Sequence, residues 1–109
     1  MKIALVGYGR MGRQVESLAL DQGHQVVSRI DPNVDGLGSA ISADTLNEAD
    51  AVIEFTHPHG VISNLEALIP LGIPVVVGTT GWFDALPDIR RRVERHESAL
   101  VYAPNFSLG

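Results

Sequence analysis

The chain has 109 residues, no cysteine and a formal net charge of −5, with 45% hydrophobic and 19% charged residues. This composition is typical of one globular α/β domain spanning residues 1–109, and it excludes disulfides, thiolate metal sites and thiol nucleophiles. The negative charge argues against non-specific nucleic-acid binding, and no apolar run approaches the roughly 20 residues of a membrane span. No basic and apolar leader precedes the first predicted strand, so we expect a cytoplasmic domain without nucleic-acid or membrane partners.

The first predicted elements are a strand and a glycine-rich turn. An apolar run at residues 3–6 leads into a turn with the spacing G-x-G-x-x-G, formed by Gly7, Tyr8, Gly9, Arg10, Met11 and Gly12. In dinucleotide-binding folds the first glycine allows a tight turn, the second lets a pyrophosphate approach the backbone, and the third lets the helix pack closely on the sheet. Glycine-rich turns also occur where only tight geometry is needed, so the motif alone leaves both interpretations open.

An acidic residue follows the second predicted strand. Apolar residues at helical spacing predict the first helix at about residues 10–22, ending before a left-handed Gly23, and residues 25–30 form the next strand. Asp31 then lies close to the roughly 20-residue spacing from the glycine turn at which an acidic group binds the adenosine ribose. A polar residue that only ends the strand is the less favoured alternative.

The middle of the chain is predicted to be irregular and then to return to a strand. Residues 39–42 are expected to form a weak edge strand, and a short helical turn follows around residues 45–48 with Asp44 as its N-cap. A strand at residues 51–55 then leads through Thr56 and His57 into a second helix that begins near Pro58.

The last third of the chain repeats this alternation. A continuous apolar run at residues 74–77 is typical of a strand covered on both faces, and it leads into a second turn, Gly78-Thr79-Thr80-Gly81. Trp82 and Phe83 are interpreted as core anchors. A helix that starts between residues 84 and 87 and a strand at residues 100–102 complete the pattern.

Strands that alternate with helices predict a Rossmann-like, doubly wound α/β fold. We expect three α/β/α layers and a mostly parallel sheet of order 3-2-1-4-5-6, incomplete at its carboxyl-terminal edge. A ligand crevice would open at the switch point between the first strand and the strand at residues 51–55. The segments expected around one nucleotide are residues 7–12 at the diphosphate, Asp31 at the ribose, and residues 55–58, 78–81 and 103–106 at the nicotinamide half.

The remaining charged residues and histidines bear on cofactor choice and on metal binding. A carboxylate at Asp31 would repel a 2′-phosphate, which favours NADH over NADPH, although Arg10 and Arg13 could still reach a phosphate. His57 and His59 lack a third ligand in the sequence, so we expect no metal. Glu54 is expected near a strand end with solvent or a backbone partner, and the basic run at residues 90–95 on a solvated helix face.

Four segments of this chain together point to one family. They are Gly9-Arg10-Met11-Gly12-Arg13, Phe55-Thr56-His57-Pro58, Gly78-Thr79-Thr80-Gly81 and Ala103-Pro104-Asn105-Phe106-Ser107. In this order they resemble the amino-terminal, nucleotide-binding domain of the 4-hydroxy-tetrahydrodipicolinate reductase family, also called dihydrodipicolinate reductases. The resemblance implies reduction, with NADH or NADPH, of a cyclic dicarboxylate, 4-hydroxy-tetrahydrodipicolinate, to tetrahydrodipicolinate in the diaminopimelate route to lysine. It further implies that Gly78, Thr79 and Thr80 hold the nicotinamide carboxamide through main-chain groups, and that Ala103, Pro104, Asn105 and Phe106 complete that pocket.

The chain also departs from the family pattern. Only Tyr8 separates the first two glycines where the family often has two residues, and Glu54 stands where the family usually has aspartate. The resemblance further implies a second domain, whose His-His-x-x-Lys motif serves substrate binding and proton donation, and we expect that domain to be missing from this chain. We therefore expect a chain that binds cofactor, carries no catalytic residue of its own, and forms homo-oligomers only with the missing domain.

Two alternatives remain open at this point. One is a stand-alone nucleotide-sensing or partner-binding module with no chemistry of its own. The other is the cofactor domain of another amino-acid dehydrogenase, such as a homoserine dehydrogenase, which fits the glycines but not residues 78–81 together with residues 104–107.

Overall fold

The computed structural model describes residues 1–38 and 40–102. Strands and α-helices alternate along these residues. The elements are β1 (Lys2–Val6), α1 (Arg10–Asp21), β2 (Gln25–Ile30), β3 (Ala51–Glu54), α2 (Pro58–Leu68), β4 (Val75–Val77), α3 (Leu86–Arg95) and β5 (Leu100–Tyr102). Short 3₁₀ turns extend α2 at Ile69–Leu71 and precede α3 at Phe83–Ala85. Among the described residues, no helix is long and apolar enough to cross a membrane.

The strands form one parallel sheet in the order β2-β1-β3-β4-β5. The expected α/β class and the pairing of β1 with β3 are confirmed, but the order 3-2-1-4-5-6 is wrong in detail. No third strand lies outside β2 in the described part of the chain. Gly38 makes a single isolated bridge to Ile30, and residues 40–42 are not in a strand.

The segment before β3 explains why that edge strand is missing. Ser42 Oγ accepts the N–H of Thr45 at 3.2 Å, and Thr45 Oγ1 accepts the N–H of Ser42 at 2.8 Å, so the chain turns back here. Asp44 is therefore not the N-cap, and the helical turn stops because Asn47 and Glu48 have φ of 54° and 62°. This turn inserts a fully buried Leu46 into the core.

The helices lie on the two faces of the sheet and bury different clusters, as a three-layer arrangement requires. On one face, α2 and α3 cover the larger cluster, which includes Val52, Leu65 and Ile89. On the other face, α1 covers a smaller cluster around Leu5 and Val15.

Trp82 and its neighbours anchor the end of the sheet near β5. Trp82 is buried, and its ring lies edge-on to Tyr102 at 5.6 Å and tilted against Phe83 at 5.1 Å. The expectation that Trp82 and Phe83 are core anchors is confirmed. On α3, Arg90, Arg91 and Arg95 are exposed, which confirms the solvated basic face, and the half-buried Arg92 pairs with Asp88 at 3.0 Å and Glu66 at 3.4 Å.

The register of the sheet brings the strand ends together. Val6 pairs with both Ile30 and Glu54, and Glu54 pairs with Val77. The segments that follow β1, β2, β3 and β4 therefore start side by side at one edge, where parallel α/β sheets bind ligands.

Candidate functional site

A cavity of about 490 Å³ opens at the carboxyl ends of β1, β2 and β3. Its volume falls within the range of sites for small ligands. The walls come from the start of α1, the segment after β2, and the segment that leads from β3 into α2. They are lined by Val6, Gly9, Arg10, Met11, Gly12, Ile30, Asp31, Pro32, Asn33, Phe55, Thr56, His57, His59, Gly60 and Asn64.

The three glycines of the first turn have different surroundings. Gly7 has a φ of +98°, and a Cβ there would lie 1.8 Å from the carbonyl oxygen of Phe55. A Cβ on Gly12 would lie 2.4 Å from the carbonyl oxygen of Gly7, whereas a Cβ on Gly9 would have no heavy atom within 4 Å. Gly7 and Gly12 are thus required by the fold, and Gly9 leaves open space beside the cavity.

Asp31 joins the segment after β2 to the glycine turn. Its Oδ2 accepts the backbone N–H of Tyr8 at 2.8 Å, and its Oδ1 accepts the backbone N–H of Asn33 at 2.9 Å. Because an ionised carboxylate has about four acceptor sites, each oxygen can still accept a further hydrogen bond from the cavity side.

Two helices begin at this cavity. The N-cap of α1 is Gly9 and that of α2 is His57, and neither makes a side-chain capping hydrogen bond. Neither helix has an acidic residue in its first turn. The first N–H groups of both helices, together with their dipoles, therefore provide a favourable environment for an anion.

The side chain of Tyr8 belongs to an ionic cluster on α1 and β2, which we call the Glu16 cluster (Tyr8, Arg13, Glu16 and Arg29). Tyr8 O–H donates to Glu16, and Arg29 Nε lies 3.1 Å from both carboxylate oxygens of Glu16. The guanidinium groups of Arg13 and Arg29 lie 5.5 Å and 5.7 Å from the Tyr8 ring centroid.

The contacts within this cluster shift the pKa values of Glu16 and Arg29. Hydrogen bonding from Arg29, more than that from Tyr8, holds the pKa of Glu16 below its ordinary value, against the opposing effect of burial. The hydrogen bond to Glu16 raises the pKa of Arg29. Arg29 is therefore fixed as a cation that Glu16 neutralises locally.

Glu54 differs from its expected environment. It ends β3, but its side chain is 0% exposed and its partners are side chains rather than solvent or backbone. Thr56 and Thr79 donate their hydroxyls to it, and Asn64 Nδ2 donates at 3.0 Å. The backbone N–H of Gly78 also donates to the Glu54 carbonyl at 2.8 Å. Sequence reasoning missed these surroundings, because Asn64 and Thr79 lie 10 and 25 residues further along the chain and only the fold brings them to Glu54.

The structure brings together eight of the residues that the sequence placed at the site. The cavity is lined by Gly9, Arg10, Met11, Gly12, Asp31, Phe55, Thr56 and His57. Gly7 and Tyr8 belong to the same glycine turn but do not line the cavity. Gly78, Thr79 and Thr80 form the neighbouring loop and do not line the cavity, while Ala103, Pro104, Asn105 and Phe106 lie outside the described residues.

The start of α2 supplies lining residues that sequence analysis missed, namely Gly60 and Asn64. The signal was available, because Gly60 and Asn64 are four residues apart in α2 and so share one helix face, on the helix that follows the predicted Thr56. His57 and His59 also line the cavity. Within residues 1–38 and 40–102, no group of three or more His, Asp or Glu side chains could hold a metal ion.

Comparisons with known proteins agree with this architecture. The model of the family described as "Dihydrodipicolinate reductase, N-terminus" matches residues 1–106. The 4-hydroxy-tetrahydrodipicolinate reductase of Christiangramia forsetii is 38% identical over the full chain, which covers 44% of that protein. The chain thus spans less than half the length of this relative.

Solved structures show the same fold. Dipicolinate-bound dihydrodipicolinate reductase from Paenisporosarcina sp. TG-14 has a TM-score of 0.77 and 20% identity, covering 99% of this chain and 48% of that one. A hyperthermophilic archaeal homoserine dehydrogenase in complex with NADPH has a TM-score of 0.70 and 10% identity, covering 94% of this chain and 43% of that one.

The parallel sheet and the cavity at its switch point define a Rossmann-type domain of the nucleotide-binding class. The family match over residues 1–106 then identifies which family of such domains the chain belongs to. The chain belongs to the family of dihydrodipicolinate reductase amino-terminal domains, and the alternative of another amino-acid dehydrogenase is wrong.

Proposed function

We propose that this chain is the cofactor half of a 4-hydroxy-tetrahydrodipicolinate reductase and binds a nicotinamide dinucleotide in the cavity beside Gly9. The observation that carries the proposal is the convergence of two helix N-termini, both without a side-chain cap, and the carboxylate of Asp31 on one cavity. A dinucleotide offers the matching chemistry, an anionic diphosphate and a ribose with hydroxyl donors.

The adenosine half would lie over the first two strands. The backbone of residues 7–12 would bind the diphosphate, because Gly9 leaves space for its approach. Asp31 would accept hydrogen bonds from the ribose hydroxyls with the acceptor sites that Tyr8 and Asn33 leave open.

The nicotinamide half would lie toward β3 and β4. Phe55 and Thr56 would line its near wall, and the main-chain groups of Gly78, Thr79 and Thr80 would hold the carboxamide. The segment Ala103, Pro104, Asn105 and Phe106 would complete the pocket. When bound, the reduced cofactor supplies the hydride, and the residues of this chain bind and orient it.

In the complete protein, we propose that this domain serves the reduction of 4-hydroxy-tetrahydrodipicolinate in lysine biosynthesis, in the cytoplasm. The cyclic dicarboxylate substrate, the proton donor and the contacts for homo-oligomers would lie in the part of the relatives that this chain does not span. The chain alone would bind cofactor without turnover. This proposal rests on the family match and on the 44% coverage of the relative.

We further propose that NADH is preferred over NADPH. A 2′-phosphate on the ribose would meet the carboxylate of Asp31, and Arg29, two residues earlier on β2, is already neutralised by Glu16. Of the two arginines that could reach a phosphate, Arg13 stacks on Tyr8, whereas Arg10 lines the cavity and is the cation that would oppose this preference.

The test is a thermal-shift titration of the chain with NADH and NADPH at millimolar concentration. We expect NADH to raise Tm more than NADPH does, and Asp31→Ala to narrow that difference. Asp35→Ala is the control, because Asp35 is exposed on the same segment and does not line the cavity. If neither nucleotide changes Tm, the proposed function is refuted.

A further inference from the structure

Glu54 is the one ionisable side chain that the described part of the chain buries completely. An ionised carboxylate without solvent is costly unless hydrogen bonds replace the lost water. Among the described residues, Glu54 forms no ion pair, and its named partners are neutral: two threonine hydroxyls and one amide. The position therefore retains a buried acid, at the energetic cost of removing its carboxylate from water.

The hydrogen bonds around Glu54 all run in one direction. Thr79 Oγ1 accepts the backbone N–H of Thr56 at 2.7 Å, and it donates its own proton to Glu54 Oε1. Thr56 O–H and Asn64 Nδ2–H both donate to Oε2. A carboxylate only accepts hydrogen bonds, so it satisfies all three of these donors. In a glutamine, the amide NH₂ group would replace one carboxylate oxygen and would point its own protons at one of the donors.

These partners come from three different elements around the cavity. Thr56 and Asn64 line the cavity from the segment after β3 and from α2. Thr79 belongs to the loop after β4, 25 residues from Glu54, and its carbonyl accepts Trp82 Nε1–H at 2.7 Å. Glu54 thus connects the cavity wall to a loop that is anchored in the core.

The adenosine side is held independently of this network. Asp31 hydrogen-bonds to Tyr8 and Asn33, and none of these residues is a hydrogen-bond partner of Glu54. A loss of the Glu54 network should therefore disturb one half of the cavity and leave the other in place.

We infer that Glu54 is a positioning residue for the nicotinamide half of the site: its carboxylate fixes the main chain at Thr56 and at the loop of residues 78–81 without touching the cofactor. This inference rests on the proposed function. It assigns a role to a residue that the sequence indicated only as an unusual acid within an apolar strand.

The test compares the affinity of the chain for NADH and for ADP-ribose, which lacks the nicotinamide, by isothermal titration calorimetry. We expect Glu54→Gln to weaken NADH binding about tenfold, equivalent to about 1.4 kcal/mol, and to change ADP-ribose binding by less than about twofold. Glu54→Asp retains the acceptor-only carboxylate and should recover most of the NADH affinity.

A second pair of variants covers the case in which Glu54→Gln does not fold. Thr79→Val removes the hydroxyl that joins Glu54 to the Thr56 N–H at nearly the same side-chain size, and Thr79→Ser keeps it. The valine variant should lose NADH affinity selectively, and the serine variant, which keeps the hydroxyl, should lose less NADH affinity than the valine variant.

Two results would overturn the inference while leaving the proposed function intact. They are an equal loss of affinity for NADH and ADP-ribose, and unchanged NADH binding in Glu54→Gln and Thr79→Val. A native chain that binds neither ligand would instead refute the proposed function itself.

Discussion

Replacement of Gly12 and Gly9 by alanine should separate the structural from the binding role of the glycine turn. The Cβ of Gly12→Ala would lie 2.4 Å from the carbonyl oxygen of Gly7, a backbone atom that cannot move without shifting the turn. Overpacking of this kind costs about 2 kcal/mol. With an unfolding entropy of about 2.1 cal/mol/K per residue, that corresponds to a fall in Tm of about 9 °C for this chain.

Gly9→Ala should behave in the opposite way. Its Cβ would meet no heavy atom within 4 Å, so Tm should fall by less than it does in Gly12→Ala. The same methyl group would occupy the space through which a diphosphate approaches the backbone, and we expect NADH affinity to fall about tenfold or more.

Differential scanning fluorimetry gives Tm of both variants, and calorimetry gives the NADH affinity of Gly9→Ala. The reasoning is refuted if Gly9→Ala binds NADH like the native chain, because the space beside Gly9 would then serve no ligand. It is also refuted if Gly12→Ala is as stable as the native chain.

Two further predictions concern stability. Glu16→Gln should destabilise the chain by about 1 kcal/mol at pH 7, because it removes the ion pair with Arg29. Since the folded-state pKa of Glu16 is lowered, this contribution is present above its ordinary value of 4.5 and is lost as pH falls through the folded-state pKa. Urea denaturation should show a smaller difference in stability between the native chain and Glu16→Gln at pH 3 than at pH 7. An equal difference at both pH values would contradict a stabilising Glu16–Arg29 ion pair. Leu65→Ala should lower the free energy of unfolding by about 2–5 kcal/mol, because Leu65 is fully buried. Leu20 is exposed, so Leu20→Ala should change it by less than about 0.5 kcal/mol. Similar urea midpoints for the two variants would be inconsistent with the core as described.

Sequence reasoning succeeded where the determinants are local. The turn that begins with Gly7 and the acidic residue Asp31 each follow a strand directly, so strand periodicity alone placed them at the same edge of the sheet. The expected edge strand was wrong for residues 40–42, because hydrogen bonds between Ser42 and Thr45 turn the chain instead. Composition does not distinguish these two outcomes for a short polar segment.

The surroundings of Glu54 could not be predicted in the same way. A period-two pattern identifies the strand and marks an acid within it as unusual, but it contains no information on which side chains other elements bring to that acid. Thr79 approaches from the next strand end only because β3 and β4 pair in register, with Glu54 opposite Val77. Thr56 is close to Glu54 in sequence, but the contacts with Asn64 and Thr79 are a property of tertiary structure, and no local signal specifies them.

Asp31 follows β2 and Glu54 ends β3 at the same edge of the sheet, but the two acids differ in burial and in free acceptor sites. Asp31 is half-buried and retains acceptor sites toward the cavity, so it can contact a ligand and influence the choice of cofactor. Glu54 is fully buried, and three side chains already donate to it, so it can act on a ligand only through the loops that it holds. Because the two carboxylates share no hydrogen-bond partner, the proposed adenosine recognition and the proposed geometry of the nicotinamide half would depend on separate sets of contacts. On this proposal, a substitution at Asp31 that changes cofactor preference would leave the nicotinamide half in place.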